Sequence, residues 1–280
     1  MTTSSAPTFA AATAVVTEGG ERFTAEIDPR WSNGGVASGG YLSALLARAA
    51  LATSDKAHVV SLVSHFLAAP KSGGVVLEVT PLRRGKGTDQ VRVTLCQQGS
   101  ACAEATVTLG ALEPSGSGDP DSDDRWDGGS PPRPVLAYER CERFVQHPSL
   151  YPSLMMELID LRLDPLSMGF MKGSPSGRGR IDGWLALPAA EAFDSVSLVF
   201  ALDALPPATY DIRWTDWVPT IAFSAYVRAL PCRGPVQLGY TAGLVAGNRV
   251  DQVCSAWDSD GNLVAQSTQL ANVRLGARRR

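Results

Sequence analysis

The chain has 280 residues, a formal net charge of −3, 44% hydrophobic residues and 19% charged residues. This balance is typical of a globular protein and gives no electrostatic reason to expect a nucleic acid or an anionic membrane as a partner. No apolar run approaches the roughly 18 residues that a membrane-spanning helix needs. The N-terminus also lacks the basic start and apolar stretch of a signal peptide, so we expect a cytoplasmic protein.

The predicted elements begin after residues 1–20, whose Ser, Thr and Ala content is typical of a flexible tail. A first unit, residues 21–112, opens with an alternating strand at 23–27 and a glycine-rich run at 31–40 that leads into a helix over 41–53. The helix is apolar on nearly every side, which predicts that it is buried. Further strands are predicted at 58–68, 74–83, 89–97 and 102–112.

Residues 113–134 are rich in Pro, Gly, Ser and Asp and predict a linker, because such a segment buries too little apolar surface to order itself. The second unit, residues 135–275, contains a predicted helix at 189–205 that two prolines stop, and a basic tail follows at 276–280. Its predicted strands lie at 155–164, 179–187, 214–229, 235–246, 250–257 and 262–274.

The two units repeat one another. Residues 59–70 correspond to residues 220–231 at an offset of 161, and the turn at Gly99 corresponds to the turn at Gly261 at an offset of 162. Each copy has one apolar helix and a set of antiparallel strands, which predicts an α+β fold of two fused hotdog units, each a curved antiparallel sheet wrapped around a central helix. In this double hotdog we expect the two sheets to join edge to edge, so that neither unit leaves a bare edge strand.

The five cysteines and three histidines are scattered along both units. No Cys-x-x-Cys pair occurs and no histidine stands at ligand spacing from a cysteine, which argues against a structural zinc site and against a Cys–His nucleophile. We therefore expect free thiols and no metal or organic cofactor. We interpret His65 as an ordinary strand histidine and not as a general base.

Three polar residues of the second unit break the symmetry of the repeat. Asp203 lies in the last turn of the predicted helix, where the helix dipole and burial both disfavour its charge, and the first helix has no carboxylate. Thr220 stands where the first unit has Val59, and Gln269 stands where it has Val107. An acid, a hydroxyl and an amide are together suited to holding and deprotonating a water molecule.

Each of these residues also has a purely structural interpretation. The acid could rotate to solvent or cap a neighbouring turn, and threonine is common in strands. The amide could tie down a neighbouring loop, because a buried amide needs hydrogen-bond partners.

The sequence resembles the acyl-CoA thioesterase II family, the double-hotdog thioesterases of the thioesterase-like superfamily, over nearly its whole length outside the linker and tails. The motifs of the first half are Gly39-Gly40, Ser64-His65-Phe66-Leu67 with Pro70, and Leu82-Arg83-Arg84-Gly85-Lys86. Those of the second half are Asp203, Thr220-Ile221 with Ser224, and Asp260-Gly261-Asn262-Leu263-Val264-Ala265 leading to Gln269. In that family an Asp, a Thr or Ser and a Gln bind the water that attacks the thioester carbonyl. The resemblance implies these catalytic roles for Asp203, Thr220 and Gln269.

Two groups in the first unit are candidates for substrate binding. Gly39 and Gly40 could present backbone N–H groups at a helix N-terminus to an oxyanion or a phosphate, or could allow close packing of the helix. A basic loop could bind the phosphates of coenzyme A or be a solvated turn. Its residues are Arg83, Arg84 and Lys86.

The resemblance implies hydrolysis of an acyl-CoA or acyl-carrier thioester, with coenzyme A only as part of the substrate, and a homo-oligomer of the pseudo-dimeric chain. Family members usually have an acid-His pair after the Thr and a His further along that strand. Here Ala222, Phe223 and Arg228 stand instead. A catalytically silent acyl-binding protein is therefore one alternative. A hydratase or pathway-specific cyclase on the same scaffold is another, although no D-x-N-x-x-H loop is present.

Overall fold

A computed structural model of the protein describes residues 8–117, 131–145, 153–215 and 218–274. The first unit contains α1 (Phe9–Ala12), β1 (Val16–Gly19), β2 (Arg22–Ile27), β3 (Ser32–Asn33), β4 (Val36–Ala37), α2 (Gly39–Leu51), β5 (His58–Phe66), β6 (Gly73–Arg83), β7 (Asp89–Gln97) and β8 (Ser100–Gly110). The second contains β9 (Glu142–Arg143), α3 (Met155–Leu158), β10 (Asp160–Leu163), β11 (Arg180–Ala186), α4 (Ser195–Ala201), β12 (Thr220–Val227), β13 (Val236–Ala246), β14 (Arg249–Trp257) and β15 (Leu263–Asn272). Short 3-10 helices lie at Tyr138–Arg140, Pro165–Ser167, Gly169–Lys172, Pro188–Ala190 and Ala208–Asp211.

Within the described residues, all strands except the β3–β4 hairpin belong to one antiparallel sheet. Its strand order is β1-β2-β6-β7-β8-β5-β12-β15-β14-β13-β11-β10-β9. The two units meet where β5 pairs with β12, from Ser61 opposite Tyr226 to His65 opposite Ala222. This confirms the predicted joining of the sheets, which leaves no unpaired strand edge between the units.

The central helices lie against this sheet and against each other. α2 packs on β5 to β8 and on α4, and its buried residues lie on every side, as its nearly continuous apolar sequence predicts. α4 packs on β5 and β12, on either side of the junction between the units. The prediction of a double hotdog fold is confirmed.

The strand registers preserve the repeat, including an irregularity. β5 shifts register against β8 between Val59 and Ser61, and β12 shifts against β15 between Thr220 and Ala222. Both pairs of residues are related by the offset of 161. A bulge changes the direction of the side chains beside it. Because both units have the bulge at the same place, their equivalent residues point in equivalent directions.

The second helix is shorter than the predicted span of 189–205. Ala189 and Ala190 adopt left-handed conformations with φ of 55° and 54°, which a continuing α-helix excludes. Asp194 then starts α4 by accepting hydrogen bonds from the N–H groups of Val196 and Ser197.

Two predicted strands also begin late. The segment 155–164 starts as α3 and becomes extended only at β10, because a short apolar run such as Leu154-Met155-Met156 fits either a helix or a strand. The segment 214–229 joins the sheet only at Thr220, directly after Pro219, which has no N–H to donate to a strand ladder.

Residues 8–19 form α1 and β1, where a flexible tail was predicted. Phe9 is fully buried, and its ring centroid lies 5.1 Å from that of Trp31 and 4.8 Å from that of Phe200. Glu191 of the second unit accepts hydrogen bonds from the N–H groups of Phe9 (2.7 Å) and Ala10 (3.0 Å). An aromatic cluster therefore holds the N-terminal segment to both units.

Residues 1–7 of the predicted tail, residues 118–130 of the predicted linker and the basic tail at 276–280 lie outside the described residues. No helix in the described ranges is both long and apolar enough to cross a membrane.

Replacing Phe9 by alanine should lower the free energy of unfolding by about 3–5 kcal/mol, because it empties a fully buried aromatic site. Urea denaturation measures the change. Val16→Ala, at an exposed position of β1, is the control and should change stability by less than about 0.5 kcal/mol. Equal effects of the two substitutions would show that the N-terminal segment does not pack as described.

Candidate active site

A cavity of about 420 Å³ lies between the N-terminus of α2, the segment that follows α4, and the strands β12 and β15. Asp203, Thr220 and Gln269 all line it, together with Gly39. The structure thus brings the three polar residues that break the repeat to one place. The N-terminus of α2, which belongs to the first unit, also lines the cavity, so both units contribute to the site.

Asp203 does not lie in the last turn of α4, as predicted, but two residues beyond the end of the helix. Its N–H donates to the carbonyl oxygen of Phe200 at 3.0 Å, in a turn that follows the helix. The carboxylate oxygen Oδ2 accepts a hydrogen bond of 2.7 Å from the N–H of Gly40. An acid of the second unit therefore caps the central helix of the first.

This close approach requires glycine at position 40 and leaves little room for a side chain at position 39. A Cβ atom on Gly40 would lie 2.9 Å from the carbonyl oxygen of Phe200 and 3.0 Å from the Cβ of Asp203. A Cβ on Gly39 would lie 3.1 Å from Oδ2 of Asp203 and from the ring of Phe66. The glycines allow this close packing, and the helix N-terminus that they begin lies at the cavity, whereas their binding of an oxyanion or a phosphate stays a prediction.

Burial raises the pKa of Asp203 to about 7, and the hydrogen bond from Gly40 opposes this rise. No cationic side chain among the described residues lines the cavity, so the carboxylate has no counter-ion there. A carboxyl group with such a pKa exchanges its proton near neutral pH.

Thr220 reaches the cavity because of the β-bulge at the start of β12. Thr220 lies opposite Ala271 and Phe223 lies opposite Gln269, although Phe223 is three positions from Thr220 and Gln269 is only two positions from Ala271. In a regular strand, residues three apart point to opposite faces. The bulge therefore places Thr220 on the same face as Gln269.

Gln269 is buried, with 7% of its surface exposed. Its Nε2 donates a hydrogen bond to the hydroxyl of Tyr240, and its Oε1 has no partner among the described residues. Burial, and to a lesser degree the charge of Asp203, raise the pKa of Tyr240 well above its ordinary value, which keeps the phenol neutral. The amide is held by a side chain that also lines the cavity, and not by a loop.

Tyr240 was not predicted as a site residue. The alternation of β13 places Leu238, Tyr240 and Ala242 on one buried face, which was the available signal that the phenol points inward. The sequence does not show that it reaches Gln269, because β14 separates β13 from β15 in the sheet.

The basic loop between β6 and β7 lies away from the cavity. Its charged residues are Arg83, Arg84 and Lys86, and Arg84 pairs with Asp89 at 3.0 Å. The strand registers place Asp89 at the His58 end of β5, whereas the cavity is at the Phe66 end. These ends are about 26 Å apart at the usual rise per residue. The structure does not bring the loop to Asp203, Thr220 and Gln269, and its binding of phosphates stays a prediction.

At the start of the other central helix, α4, the acid is part of an ion pair. Arg48 of α2 lies 2.7 Å from Asp194, the N-cap of α4, just as Asp203 lies at the start of α2. With Val59 and Val107 in place of Thr220 and Gln269, this second position has no base for a water molecule.

One group of potential metal ligands occurs among the described residues, and it lies outside the cavity. It consists of Cys232, Asp258 and Asp260. The Asp258 carboxylate already accepts hydrogen bonds from the N–H groups of Asn262 (2.9 Å) and Cys232 (3.4 Å) and from the hydroxyl of Ser115. These bonds account for the buried acid as the support of a turn.

Comparison with known proteins gives the family. Residues 27–110 match the family model of the acyl-CoA thioesterase N-terminal domain, and residues 131–273 match that of the acyl-CoA thioesterase C-terminal domain. The chain therefore belongs to the acyl-CoA thioesterase family.

The chain is also similar to individual proteins over most of its length. An uncharacterised protein of Mycobacterium tuberculosis H37Rv is 28% identical over 266 residues, with 90% of each chain covered. The crystal structure of a candidate thioesterase II from Thermobifida fusca YX is 30% identical, with a TM-score of 0.84 over 97% of this chain and 100% of that one. A hot dog fold protein of unknown function from Alicyclobacillus acidocaldarius has a TM-score of 0.82 at 22% identity, covering 96% and 98% of the two chains. This last likeness concerns the fold alone.

Asp203→Asn should raise stability at pH 8. The folded-state pKa of about 7 lies above the unfolded value of about 3.9, so the folded protein binds more protons and loses stability as pH rises between the two. Asparagine stays neutral and can still accept the hydrogen bond from Gly40. Thermal unfolding at pH 8 and at pH 4 measures the effect.

We expect the variant to have the higher Tm at pH 8 and the difference to shrink towards pH 4. The control is Asp55→Asn, at a side chain that is 82% exposed, and it should leave the pH dependence of Tm unchanged. A lower Tm of Asp203→Asn at pH 8 would contradict the cost of ionising the buried acid.

Proposed function

We propose that the protein hydrolyses acyl thioesters to a free acid and a thiol, using a water molecule that Asp203 activates and that Thr220 and Gln269 position. The convergence of these side chains on one cavity carries the proposal. A carboxylate with a pKa of about 7 is suited to taking a proton from water near neutral pH. The free Oε1 of Gln269 is suited to accepting a hydrogen bond from the same water.

The reaction has two steps. The water oxygen attacks the thioester carbonyl carbon, Asp203 accepts a proton from the water, and the π electrons of the carbonyl move onto its oxygen. The carbonyl then re-forms, the C–S bond breaks, and the proton on Asp203 passes to the departing thiolate. The products are a carboxylic acid and a thiol, and Asp203 is ionised again. Water is the only co-reactant in this sequence.

The N-terminus of α2 supports the first step. The 13 residues of this helix direct the positive end of its dipole at the cavity, where negative charge develops on the carbonyl oxygen. Gly40 already donates its N–H to Asp203, so the N–H of Gly39 is the backbone donor left for the oxyanion.

The remaining wall of the cavity is suited to an acyl chain. Much of it is apolar, including Leu42, Phe66, Phe144, Met155 and Met156. The flexible methionine side chains can adapt to chains of different shape. Acyl-CoA and acyl-carrier thioesters are therefore the proposed substrates. The cytoplasmic location and the homo-oligomeric state stay predictions.

Asp203→Asn and Gln269→Ala should abolish most thioester hydrolysis while leaving the protein folded. Loss of the base should lower kcat by about 100-fold or more, and loss of the positioning amide should have an effect of similar order. Thiol release from short-, medium- and long-chain acyl-CoA substrates measures kcat and KM, and circular dichroism reports folding.

The matched controls are Asp55→Asn and Gln266→Ala. Gln266 lies on the same strand as Gln269 but does not line the cavity, so both controls should keep the activity of the unsubstituted protein. Unchanged hydrolysis in Asp203→Asn and Gln269→Ala would overturn the assignment. A native protein that binds acyl-CoA without releasing thiol would establish the silent acyl-binding alternative, and addition of water to an enoyl-CoA would establish a hydratase.

A further inference from the structure

Ser38 occupies the N-cap position of α2 but does not cap the helix. N-cap serines usually accept a hydrogen bond from the second or third N–H of their helix, which stabilises the helix start. The Ser38 side chain makes no such bond, and the N–H of Gly40 donates to Asp203 instead. The hydroxyl of Ser38 is thus not used for capping the helix.

The other central helix provides the contrasting case within the same chain. Asp194 is the N-cap of α4, and its carboxylate accepts hydrogen bonds from the N–H groups of Val196 (3.0 Å) and Ser197 (2.7 Å). The two helices are related by the repeat, so the fold permits an ordinary cap at this position. The difference at α2 lies in Asp203, which takes over the capping.

The hydroxyl of Ser38 is buried and has no hydrogen-bond partner among the residues that the structure describes. Only 3% of the residue is exposed, and Ser38 lines the cavity beside Gly39. Three buried polar side-chain atoms in the described ranges have no hydrogen-bond partner: Trp31 Nε1, Ser38 Oγ and Gln269 Oε1. Two of these three belong to residues that line the cavity, and an unsatisfied buried group costs stability unless a ligand or water satisfies it.

Of the two unpaired atoms at the cavity, the proposed hydrolysis uses Gln269 Oε1 and leaves Ser38 Oγ without a role. Gln269 Oε1 can only accept, which suits the attacking water, whereas a serine hydroxyl can donate. The group of the substrate that needs a donor is the thioester carbonyl oxygen, which gains negative charge when water attacks. Ser38 adjoins Gly39, the first residue of the helix, whose N–H has no partner within the helix.

We propose that Ser38 is a substrate-binding residue whose hydroxyl donates a hydrogen bond to the thioester carbonyl oxygen, with the N–H of Gly39 as the second donor. This inference rests on the proposed thioester hydrolysis. The hydrogen bond strengthens as the carbonyl π electrons move onto the oxygen, and it weakens when the C–S bond breaks. No proton is transferred from Ser38 in either step.

Kinetics test the contact. Ser38→Ala and Ser38→Gly remove the hydroxyl, and the second keeps a residue that is well tolerated at N-caps, so the helix start is preserved in at least one variant. We expect kcat to fall by about 100-fold with a smaller change in KM, as when one donor to an oxyanion is lost. The control is Ser43→Ala on the same helix, whose buried hydroxyl contacts Ser64 at 3.3 Å and not the cavity. It should keep the native kcat.

Binding separates this inference from the proposed reaction. One probe is an acyl-CoA ketone in which CH₂ replaces the sulfur, and the other is an alkyl-CoA thioether that lacks the carbonyl. Calorimetry should show that Ser38→Ala and Ser38→Gly lose about 5- to 10-fold in affinity for the ketone and keep the affinity for the thioether.

Equal losses for both probes, no loss for either, or failure of the native protein to bind the ketone would overturn the role of Ser38. Native hydrolysis that Asp203→Asn abolishes and Ser38→Ala leaves unchanged would also overturn it, while the proposed reaction would stand. A selective loss for the ketone in a protein that does not hydrolyse thioesters would support the contact and overturn the reaction.

Discussion

The hydrogen bond from the N–H of Gly40 to the carboxylate of Asp203 is the interaction on which the site depends. It joins the buried helix of one unit to the chain of the other, and it satisfies a backbone donor that a helix N-terminus leaves unpaired. It holds the acid against α2 at Gly40, where an added Cβ atom would clash with the backbone of Phe200. Burial at this position raises the pKa of the acid towards neutrality, although the hydrogen bond itself lowers it, so the place in which the contact holds the acid suits it to proton transfer.

The start of the other central helix, α4, is capped in a different way. There the helix start is capped by its own Asp194, and Arg48 forms an ion pair with that cap. Because Asp194 is paired with Arg48 and caps its own helix, it stabilises the structure and is not available as a base. The start of each central helix thus contacts a charged residue of the other unit, Arg48 at α4 and Asp203 at α2, and only the contact with Asp203 places a carboxylate without a counter-ion at the cavity. Fusion of the units in one chain allows this difference, which identical subunits could not have.

The sequence is informative where local pattern and structure coincide. The apolar helix α2 and most strand limits follow from periodicity, and comparing the copies singled out Asp203, Thr220 and Gln269. The bulge that turns Thr220 inward is not visible in the pattern, because it is a property of strand pairing. Tyr240 and Ser38 were not predicted as site residues for a similar reason, since their contacts involve neighbours that are distant in sequence. Phe9 was assigned to a tail because its neighbours are small and polar, whereas its ring packs on residues of both units.

The central claim is that Asp203, desolvated beside α2, is the base of the reaction. The most direct measurement is the dependence of kcat/KM on pH for thioester hydrolysis by the native protein, after subtraction of the spontaneous rate. One ionisation with a midpoint near pH 7 is expected, with activity constant above it and falling about tenfold per pH unit below it. A midpoint near pH 4, the ordinary range of an aspartate, or a rate that does not change between pH 5 and pH 8, would contradict the account.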